Sequence, residues 1–371
     1  MSLFVGLMSG TSLDGVDAVA VQWPRDDAPA MQVLSHVHRA FDPPLRDSLL
    51  ALNEAGADEL ERAAAAAIGV AHTYADVLDA LLSQTGLQRE SVRAVGAHGQ
   101  TVRHCPQAAS GAFSIQLLNG AVLAERCRID IVCDLRSRDL AAGGQGAPLV
   151  PAFHADRFAA AGEARSVLNL GGIANLTLLH ADGRIGGFDT GPANVLLDAW
   201  AAKHRGTPYD DLGRWAASGQ VNAALLQRLL SDPYFQRSPP KSTGRDLFQE
   251  NWLRTHLAAL GRALAPAEVQ ATLAELTVRS IADALQRHLP DARSLWVCGG
   301  GALNEHLLAR LAALLPHLQV RTTDALGLPP MQVEAVAFAW LAREFIERRA
   351  GNRIDVTGAK GPRVLGCLYP A

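Results

Sequence analysis

The chain has 371 residues, of which 49% are hydrophobic and 19% are charged, and its formal net charge is −3. This length is typical of two domains, and so small a net charge argues against a protein that binds nucleic acid electrostatically. Five cysteines without C-x-x-C spacing argue against a disulfide framework or a zinc site. We expect a soluble, cytoplasmic protein. The N-terminal MSLFVGLMSG lacks the basic region of a signal peptide, and no apolar run reaches the ~18 to 20 residues that a membrane span needs.

The N-terminal part of the chain predicts strands followed by a long helix, because the spacing of apolar residues changes from alternation to helical periodicity. The predicted elements are a strand, a tight turn and a second strand over residues 3–21, a third strand of the same sheet over 33–40, a helix over 58–84 that is broken near Gly69, and a buried strand over 92–96. The last strand leads into a polar turn, which is where open α/β sheets place their ligands.

The rest of the chain predicts a second sheet that begins at about residue 118. Its predicted strands cover residues 167–170, 176–180, 185–189 and 295–298, and residues 114–117 and 129–132 are predicted as two further strands. The predicted helices cover 119–126, 193–204, 221–231, 248–260, 267–289, 305–314 and 332–349. The last helix is expected to return the chain to the first domain. No Ser/Gly-rich linker separates the two parts, so a packed hinge is expected between them.

The first of three glycine turns, GLMSGTSLDGVDA, predicts a phosphate-binding loop, since glycine lets the backbone approach phosphate oxygens closely. Its candidate nucleotide-binding residues are Ser9, Gly10, Thr11, Ser12, Asp14, Gly15 and Asp17. Asp14 and Asp17 could hold Mg²⁺, possibly through water. The alternative is a simple hairpin in which Asp-Gly makes the turn. The chain has neither a P-loop GxxxxGK[ST] nor a GxGxxG fingerprint after a strand.

The other two glycine turns, NLGGIAN and CGGGALN, extend the same interpretation. The second ends a predicted strand and starts a helix, where free N–H groups suit a phosphate. The candidate nucleotide-binding residues here are Gly171, Gly172, Asn175, Gly299, Gly300, Gly301 and Asn304. The alternative is that these glycines only permit close packing.

Asp189, in GFDTGPAN, is the candidate general base, because it ends an apolar strand immediately before a helix. A cap or Asx turn is the alternative role for an Asp in this position.

Three further polar segments are candidate site loops. One contains His98, Gln100 and Thr101, and a second contains Arg136 in DLRSRD, where a guanidinium suits a carboxylate or phosphate. The third, PPKSTGRD at residues 239–246, either caps a nucleotide site or is a connector. The alternatives are a structural histidine and a solvated loop with surface ion pairs.

These motifs, in order along the whole chain, resemble the anhydro-N-acetylmuramic acid kinases, bacterial cell-wall recycling enzymes of the hexokinase, Hsp70 and actin ATPase superfamily. The segments that carry the resemblance are GLMSGTSLDGVDA, GAHGQTVRH, DLRSRDLAAGGQGAPLVP, NLGGIANLT, GFDTGPAN, PPKSTGRDLF and CGGGALN. Leu135 and Asp246 stand where the family is expected to have Phe and Glu.

The resemblance implies an α/β, two-lobed actin-like ATPase (ribonuclease H-like) fold with a central cleft. Lobe I would be residues 1–118 plus about 341–371, and lobe II residues 119–340. ATP and Mg²⁺ would bind between the lobes, and the partners would be a small sugar, ATP and a second copy of the chain in a homodimer. No nucleic acid or membrane partner is expected.

The resemblance also implies the reaction. Asp189 would activate water for attack on the anomeric carbon of 1,6-anhydro-N-acetylmuramic acid, and the released O6 would take the γ-phosphate. The products would be N-acetylmuramic acid 6-phosphate and ADP. His98, Gln100, Thr101, Arg136 and Glu334 would contact the sugar.

Two other functions fit the residues less specifically. In an ordinary kinase of the same superfamily, Asp189 would deprotonate a hydroxyl of an unbridged substrate. A nucleotide-gated interaction module, like a chaperone ATPase domain, would need no base at all.

Overall fold

The strands of the protein pair into two large sheets and a two-stranded hairpin. The computed structural model describes residues 2–24, 31–244 and 247–371. In chain order the strands are β1 (Ser2–Met8), β2 (Gly15–Trp23), β3 (Gln32–Ala40), β4 (Val92–Ala97), β5 (Gln100–Cys105), β6 (Phe113–Leu117), β7 (Ile131–Cys133), β8 (Arg165–Leu170), β9 (Ile173–Leu179), β10 (Ile185–Pro192), β11 (Ser294–Cys298), β12 (Gln319–Thr322) and β13 (Cys367–Tyr369).

Helices connect and cover these strands. In chain order they are α1 (Pro43–Ala51), α2 (Glu59–Thr85), α3 (Gly120–Cys127), α4 (Ser137–Ala141), α5 (Val150–Phe158), α6 (Asn194–Arg205), α7 (Arg214–Ser218), α8 (Ala223–Leu230), α9 (Pro233–Gln236), α10 (Glu250–Ala258), α11 (Pro266–His288), α12 (Glu305–Leu314), α13 (Val333–Ile346) and α14 (Ile354–Thr357). Short 3-10 helices cover Arg89–Ser91, Asp211–Gly213, Gly300–Leu303, Thr323–Leu326 and Pro330–Gln332.

The chain forms two compact units. Unit 1 is Met1–Phe153 with Gln332–Ala371, and unit 2 is His154–Met331. The sheet of unit 1 has the strand order β13-β7-β4-β1-β2-β3, in which β1, β4 and β7 are parallel neighbours. The antiparallel pairs are β1 with β2, β2 with β3 and β7 with β13. The sheet of unit 2 has the order β10-β9-β8-β11-β12, with β8, β11 and β12 parallel.

In unit 1, helix α13 packs directly on β1 and β4. Two glycines make this contact possible. A Cβ built on Gly6 would lie 1.8 Å from the carbonyl oxygen of Ala335, and one on Gly96 would lie 2.0 Å from that of Phe338. Both distances are far below van der Waals contact, so the strand and helix backbones touch only because side chains are missing here.

Helix α2 packs against β2, β3 and α3 and buries Val70, Tyr74 and Leu78 in the core of unit 1. It runs unbroken through Gly69, whereas the sequence predicted a break there. Among the described residues, α2 is the helix that is long and apolar enough to cross a membrane, but half of its most apolar stretch is buried inside the protein. That burial is typical of a core helix.

The boundaries of the units differ from those expected at 118/119 and about 340/341. Strand β7, which was expected in the second lobe, pairs with β4 and β13 in the sheet of unit 1. The ring of Phe153 contacts that of Trp340, with centroids 6.2 Å apart. Unit 1 therefore extends to Phe153, and it resumes at Gln332 because the whole of α13 packs on its sheet.

In unit 2, the long helix α11 is buried along most of its length, against β9, β10 and several helices. The strands and helices that the sequence predicts for this unit are present, with ends shifted by a few residues. Asparagine caps mark two helix starts, since Asn222 Oδ1 accepts from the N–H of Leu225 and Asn304 Oδ1 from that of Leu307, each at 3.0 Å.

Candidate functional site

Three motifs of unit 2 meet at one edge of its sheet. Cys298, Asn169, Asn175 and Asp189 are successive register partners across β11, β8, β9 and β10. Register partners on neighbouring strands point to the same face of a sheet, with Cβ atoms about 5 Å apart. The sheet thus places Asn175, the ends of the second and third glycine turns (NLGGIAN and CGGGALN) and the candidate base Asp189 side by side.

Asp189 is held from both its backbone and its side chain. Its N–H donates to the carbonyl oxygen of Lys241 (3.1 Å), and its own carbonyl accepts from the hydroxyl of Tyr234 (2.7 Å). The backbone N–H of Thr243 donates to Asp189 Oδ2 at 2.9 Å. The side chain is half-buried. These contacts fix the direction of the carboxylate.

Tyr234 and Thr243 were not predicted as site residues. The sequence predicts either a nucleotide cap or a connector at 239–246, and in the structure Lys241 and Thr243 of this segment are hydrogen-bonded to Asp189. Nothing in the sequence pairs this segment with Asp189, because the contacts join residues about fifty positions apart. Arg245 and Asp246 lie outside the described residues.

Lys241 lies on the aromatic rings beside Asp189. Its ammonium group is 4.7 Å from the ring centroid of Tyr234 and donates to that residue's carbonyl oxygen at 3.3 Å. Burial, followed by the charges of Arg287 and Arg237, lowers the pKa of Lys241 to about 8. Lys241 therefore remains mostly protonated at neutral pH and places a positive charge near the base.

The glycines of the third turn divide into two kinds. A Cβ on Gly299, which has φ +80°, would lie 2.3 Å from Asn169 Oδ1, and one on Gly301 would lie 2.6 Å from the Cβ of Leu170. Packing alone requires these two. A Cβ on exposed Gly300 would meet nothing nearer than Asn194 Nδ2 at 4.0 Å. No protein atom among the described residues explains that glycine, so it remains available for a ligand.

The second turn is tied to the start of α6. The carbonyl oxygen of Gly172 accepts from the N–H groups of Ala193 and Val195, and that of Gly171 accepts from Asn194. A Cβ on Gly171 would have ordinary contacts, the nearest at 3.6 Å. These hydrogen bonds hold the turn in place, and Gly171 stays open at the sheet edge.

In unit 1, three motifs follow neighbouring parallel strands. The first glycine turn follows β1, the His98 turn follows β4, and the segment with Arg136 follows β7. The N–H of His98 donates to the carbonyl of Leu7 at 3.0 Å, which joins the first two motifs. Carboxyl ends of parallel strands lie at one edge of a sheet, so the three motifs are neighbours there.

The first glycine turn keeps only part of its predicted ligand-binding set exposed. Ser9 is buried, with its hydroxyl bonded to the hydroxyl of Tyr74 (2.8 Å) and donating to the carbonyl of Gly99 (3.1 Å). Thr11 is exposed and Ser12 half-buried, and a Cβ on Gly10 would meet only the Ser12 hydroxyl, at 3.5 Å. Ser9 thus supports the turn from inside.

Gln100 is completely buried beside this turn. Its side-chain N–H donates to the carbonyl of Gly10 at 3.0 Å, while its Oε1 has no hydrogen-bond partner among the described residues. A buried acceptor without a donor is rare in a folded protein. A bound ligand with an N–H or O–H group would satisfy it.

Buried His98 is paired with half-buried Arg136. The guanidinium of Arg136 donates to His98 Nε2 (2.8 Å) and to the carbonyl of Gly146 (2.8 Å). Because arginine can only donate, Nε2 is the acceptor, so Nδ1 carries the proton and donates to the carbonyl of Ser9 (3.1 Å). Burial and then the charge of Arg136 lower the pKa of His98 to about 3. His98 is therefore neutral at physiological pH and orients Arg136.

The low pKa of His98 predicts a pH-dependent stability of unit 1. Histidine in an unfolded chain has a pKa near 6.5. Below about pH 6.5, His98 is therefore protonated in the unfolded chain, whereas in the folded protein it stays neutral down to about pH 3. The stability from neutral His98 is present above pH 6.5 and falls by about 1.4 kcal/mol per pH unit below it. The free energy of unfolding is measured with urea at pH 7, 6 and 5. His98→Gln is expected to reduce its slope against pH by the equivalent of one bound proton. Exposed His317→Gln is the control, and an unchanged slope in H98Q would contradict the assignment.

Asp14 and Asp17, the predicted magnesium ligands, lie in different surroundings. Asp14 is exposed. Asp17 Oδ1 accepts from His36 Nε2 (2.8 Å) and His38 Nδ1 (3.1 Å) on β3. Burial acts to raise the pKa of Asp17, but the two histidines outweigh it and lower the pKa, while the hydrogen bond to Asp17 raises the pKa of His38. Asp17 is thus engaged in a strand-to-strand contact.

The remaining predicted substrate contacts also lie in unit 1. Thr101 Oγ1 accepts from the side-chain amide of Gln116 at 3.1 Å. Glu334 is half-buried in the first turn of α13.

Gly15, the last glycine of the first glycine turn, begins β2. A Cβ on it would lie 2.2 Å from the carbonyl oxygen of Arg39, so packing against β3 requires that glycine.

Fold and site together define a class of protein. The α/β fold, with glycine turns at the ends of its strands, is that of the actin-like ATPases (ribonuclease H-like), as predicted. One solved structure with this fold is the activator of the 2-hydroxyisocaproyl-CoA dehydratase from Clostridium difficile with bound ADPNP. It has a TM-score of 0.50 and 13% identity over 93% of this chain and 96% of that one.

The particular family follows from sequence comparison. The model of the anhydro-N-acetylmuramic acid kinase family matches residues 2–371, and the chain belongs to that family. Proteins named anhydro-N-acetylmuramic acid kinase are 57% identical in Bordetella petrii, over 100% of this chain and 96% of that one, and 54% identical in Variovorax paradoxus, over 100% and 99%. The predicted family is therefore confirmed. The chain is a phosphotransferase that uses ATP and acts on a sugar.

Proposed function

We propose that the enzyme opens the 1,6-anhydro ring of 1,6-anhydro-N-acetylmuramic acid with water and phosphorylates O6. The position of Asp189 carries this proposal. Its half-buried carboxylate accepts from the N–H of Thr243, its backbone makes two further hydrogen bonds, and its register partner Asn175 follows the second glycine turn. A bridged sugar has no free 6-hydroxyl to deprotonate, so a base in this enzyme must act on water.

In the proposed reaction, Asp189 takes one proton from a water molecule. The water oxygen forms a bond to C1 of the sugar, and the bond from C1 to O6 breaks. O6 then attacks the γ-phosphorus of ATP, and ADP leaves. Sugar, water and ATP thus give N-acetylmuramic acid 6-phosphate, ADP and one proton, which Asp189 returns to solvent.

For the nucleotide, we assign the phosphates to the glycine turns. The open glycines Gly10, Gly171 and Gly300 support this role, since packing among the described residues does not require them. The hydroxyls of Thr11 and Ser12 and the backbone N–H groups of the three turns would donate to phosphate oxygens. Ser9, Gly299 and Gly301 would act by shaping these turns.

For the metal, the exposed carboxylate of Asp14 fits Mg²⁺ better than Asp17, whose Oδ1 already accepts from two histidines. Asp14 would hold the ion through water, as hard cations with several retained waters allow. A bound Mg²⁺ would neutralise phosphate charge during the transfer. Asp17 would keep β2 and β3 in place beside it.

For the sugar, we assign the unit 1 residues. Gln100 Oε1 would accept from a sugar hydroxyl or the acetamido N–H, because it is buried and has no hydrogen-bond partner in the described part of the chain. Arg136, oriented by His98, suits the lactyl carboxylate that distinguishes muramic acid from glucosamine. Thr101 and Glu334 would complete the polar contacts.

In the cell, we propose that this reaction serves recycling of peptidoglycan fragments in the cytoplasm. The resemblance of the whole chain to the family supports this role, and it also supports a homodimer. A net charge of −3 supports the proposal that nucleic acids and membranes are not partners.

The test compares three sugars. Purified protein with ATP and Mg²⁺ is expected to release ADP with 1,6-anhydro-N-acetylmuramic acid and not with N-acetylmuramic acid or N-acetylglucosamine. In ¹⁸O-labelled water the label is expected at C1 of the product, because water attacks that carbon. Turnover restricted to the unbridged sugars would refute the ring-opening mechanism and favour an ordinary kinase in which Asp189 deprotonates a hydroxyl.

A further inference from the structure

Two cysteines face each other across the outer strands of the unit 1 sheet. Cys133 on β7 and Cys367 on β13 are direct register partners in an antiparallel pair, and their sulfur atoms are 3.9 Å apart. Opposed residues on antiparallel strands have Cα atoms about 4.5 to 5.5 Å apart, inside the range that a disulfide bridges. The backbones therefore need not move, and rotation of the two side chains would bring the sulfur atoms to bonding distance.

The two thiols differ in access. Cys367 is exposed, on an edge strand whose three residues are all exposed, whereas Cys133 is buried. An oxidant in solution therefore reacts first with Cys367, and Cys133 lies beside it on the neighbouring strand. This arrangement matches the usual division between an attacked thiol and a resolving thiol.

We propose that Cys133 and Cys367 are an oxidisable pair that forms a reversible disulfide and fastens the C-terminal strand to β7. With hydrogen peroxide as oxidant, the Cys367 thiolate attacks one peroxide oxygen and becomes a sulfenic acid, and hydroxide leaves. Cys133 sulfur then attacks the sulfur of Cys367 and displaces water. In total two thiols lose two electrons and two protons, and one peroxide becomes two waters.

The disulfide would restrain the C-terminal end of the chain. The two cysteines are 234 positions apart, so the bond closes a very long loop in the unfolded chain, and its stabilising effect is large in the chain-entropy model. β13 is otherwise held by its short pairing with β7, by the ring of Tyr369 over Gly120, and by the N–H of Ala371 on Asp130. Oxidation would turn a weakly held edge strand into a covalently attached one.

The rate of the reaction should depend steeply on pH. Burial raises the pKa of both thiols, and for Cys133 the neighbouring Cys367 raises it further. Since the thiolate is the reactive form, the initial oxidation rate is expected to rise about tenfold per pH unit between pH 7 and 8.

The experiment uses the reduced full-length enzyme and hydrogen peroxide. Of the five cysteines, two thiols are expected to disappear in a thiol count under denaturing conditions, and peptide mapping should link the peptides of Cys133 and Cys367. The Tm is expected to rise by about 5 °C and to return after reduction with dithiothreitol.

Two variants separate this pair from general oxidation. Cys367→Ser should show neither the link nor the rise in Tm. Cys105→Ser, which removes a half-buried cysteine outside the pair, should show both. The proposal fails if Cys367 is oxidised to a sulfinic acid without a link, or if oxidation gives dimers joined through Cys367. None of these outcomes bears on the kinase mechanism.

Discussion

Replacing Asp189 by Asn is expected to lower kcat with the anhydro sugar by about 10²- to 10⁴-fold, the usual contribution of a positioned base. Asparagine retains an oxygen that can accept from the N–H of Thr243, and the backbone bonds to Lys241 and Tyr234 do not involve the side chain. The loop around residue 189 should therefore keep its structure. Steady-state ADP release measures the loss, and calorimetric titration with ADP should give an unchanged Kd.

The matched control is Asp182→Asn. Asp182 is an exposed carboxylate of the same unit, in an ion pair with Arg184 at 2.7 Å, and its loss should leave kcat unchanged. If Asp189→Asn keeps full turnover, another group activates the water. If it loses nucleotide affinity as well as turnover, the carboxylate is part of the nucleotide site.

Replacing Gly6 by Ala is expected to prevent unit 1 from folding. The added Cβ would lie 1.8 Å from the carbonyl oxygen of Ala335 and 2.7 Å from the backbone nitrogen of Ala339. Both contacts are with the backbone of α13, so no change of rotamer relieves them, and the helix would have to leave the sheet. Such clashes belong to the group of substitutions that cost more than about 4 kcal/mol. Soluble yield and the thermal transition of the purified protein measure the effect.

Gly10→Ala, four residues further, separates folding from nucleotide binding. Its Cβ would meet only the hydroxyl of Ser12, at 3.5 Å, so the Tm should stay close to that of the unmodified protein. If phosphate approaches the backbone at Gly10, the Kd for ATP should rise by about tenfold or more, equivalent to about 1.4 kcal/mol. An unchanged Kd would assign the first turn a structural role, and a folded, active Gly6→Ala would refute the packing of α13 on β1.

The ordered motifs along the chain were sufficient to predict the family by resemblance. Apolar periodicity and glycine turns, which are local signals, were sufficient to predict most elements of the fold. It could not predict the row from Cys298 to Asp189, since strand register is set by pairing between distant segments. For the same reason Tyr234 and Thr243, which hold Asp189, were not identified as site residues.

Local signals also do not show which other contacts a predicted site residue makes. Ser9 looks like a ligand hydroxyl in the motif, yet it faces Tyr74 in the core. Asp17 looks like a metal ligand, yet β3 brings His36 and His38 to it. Strand β7 is only three residues long, and the sheet to which so short a segment belongs is decided by its neighbours β4 and β13.

The two ends of the chain together build unit 1, and its middle builds unit 2. During synthesis on a ribosome, β1 and β4 therefore emerge long before α13, the helix that covers Gly6 and Gly96. Translation adds about 5 to 20 residues per second, so an apolar face of the nascent sheet stays uncovered for on the order of tens of seconds. The whole of unit 2 is translated in that interval. Unit 2 is thus expected to fold first, and the growing chain needs a chaperone most at its N-terminal sheet.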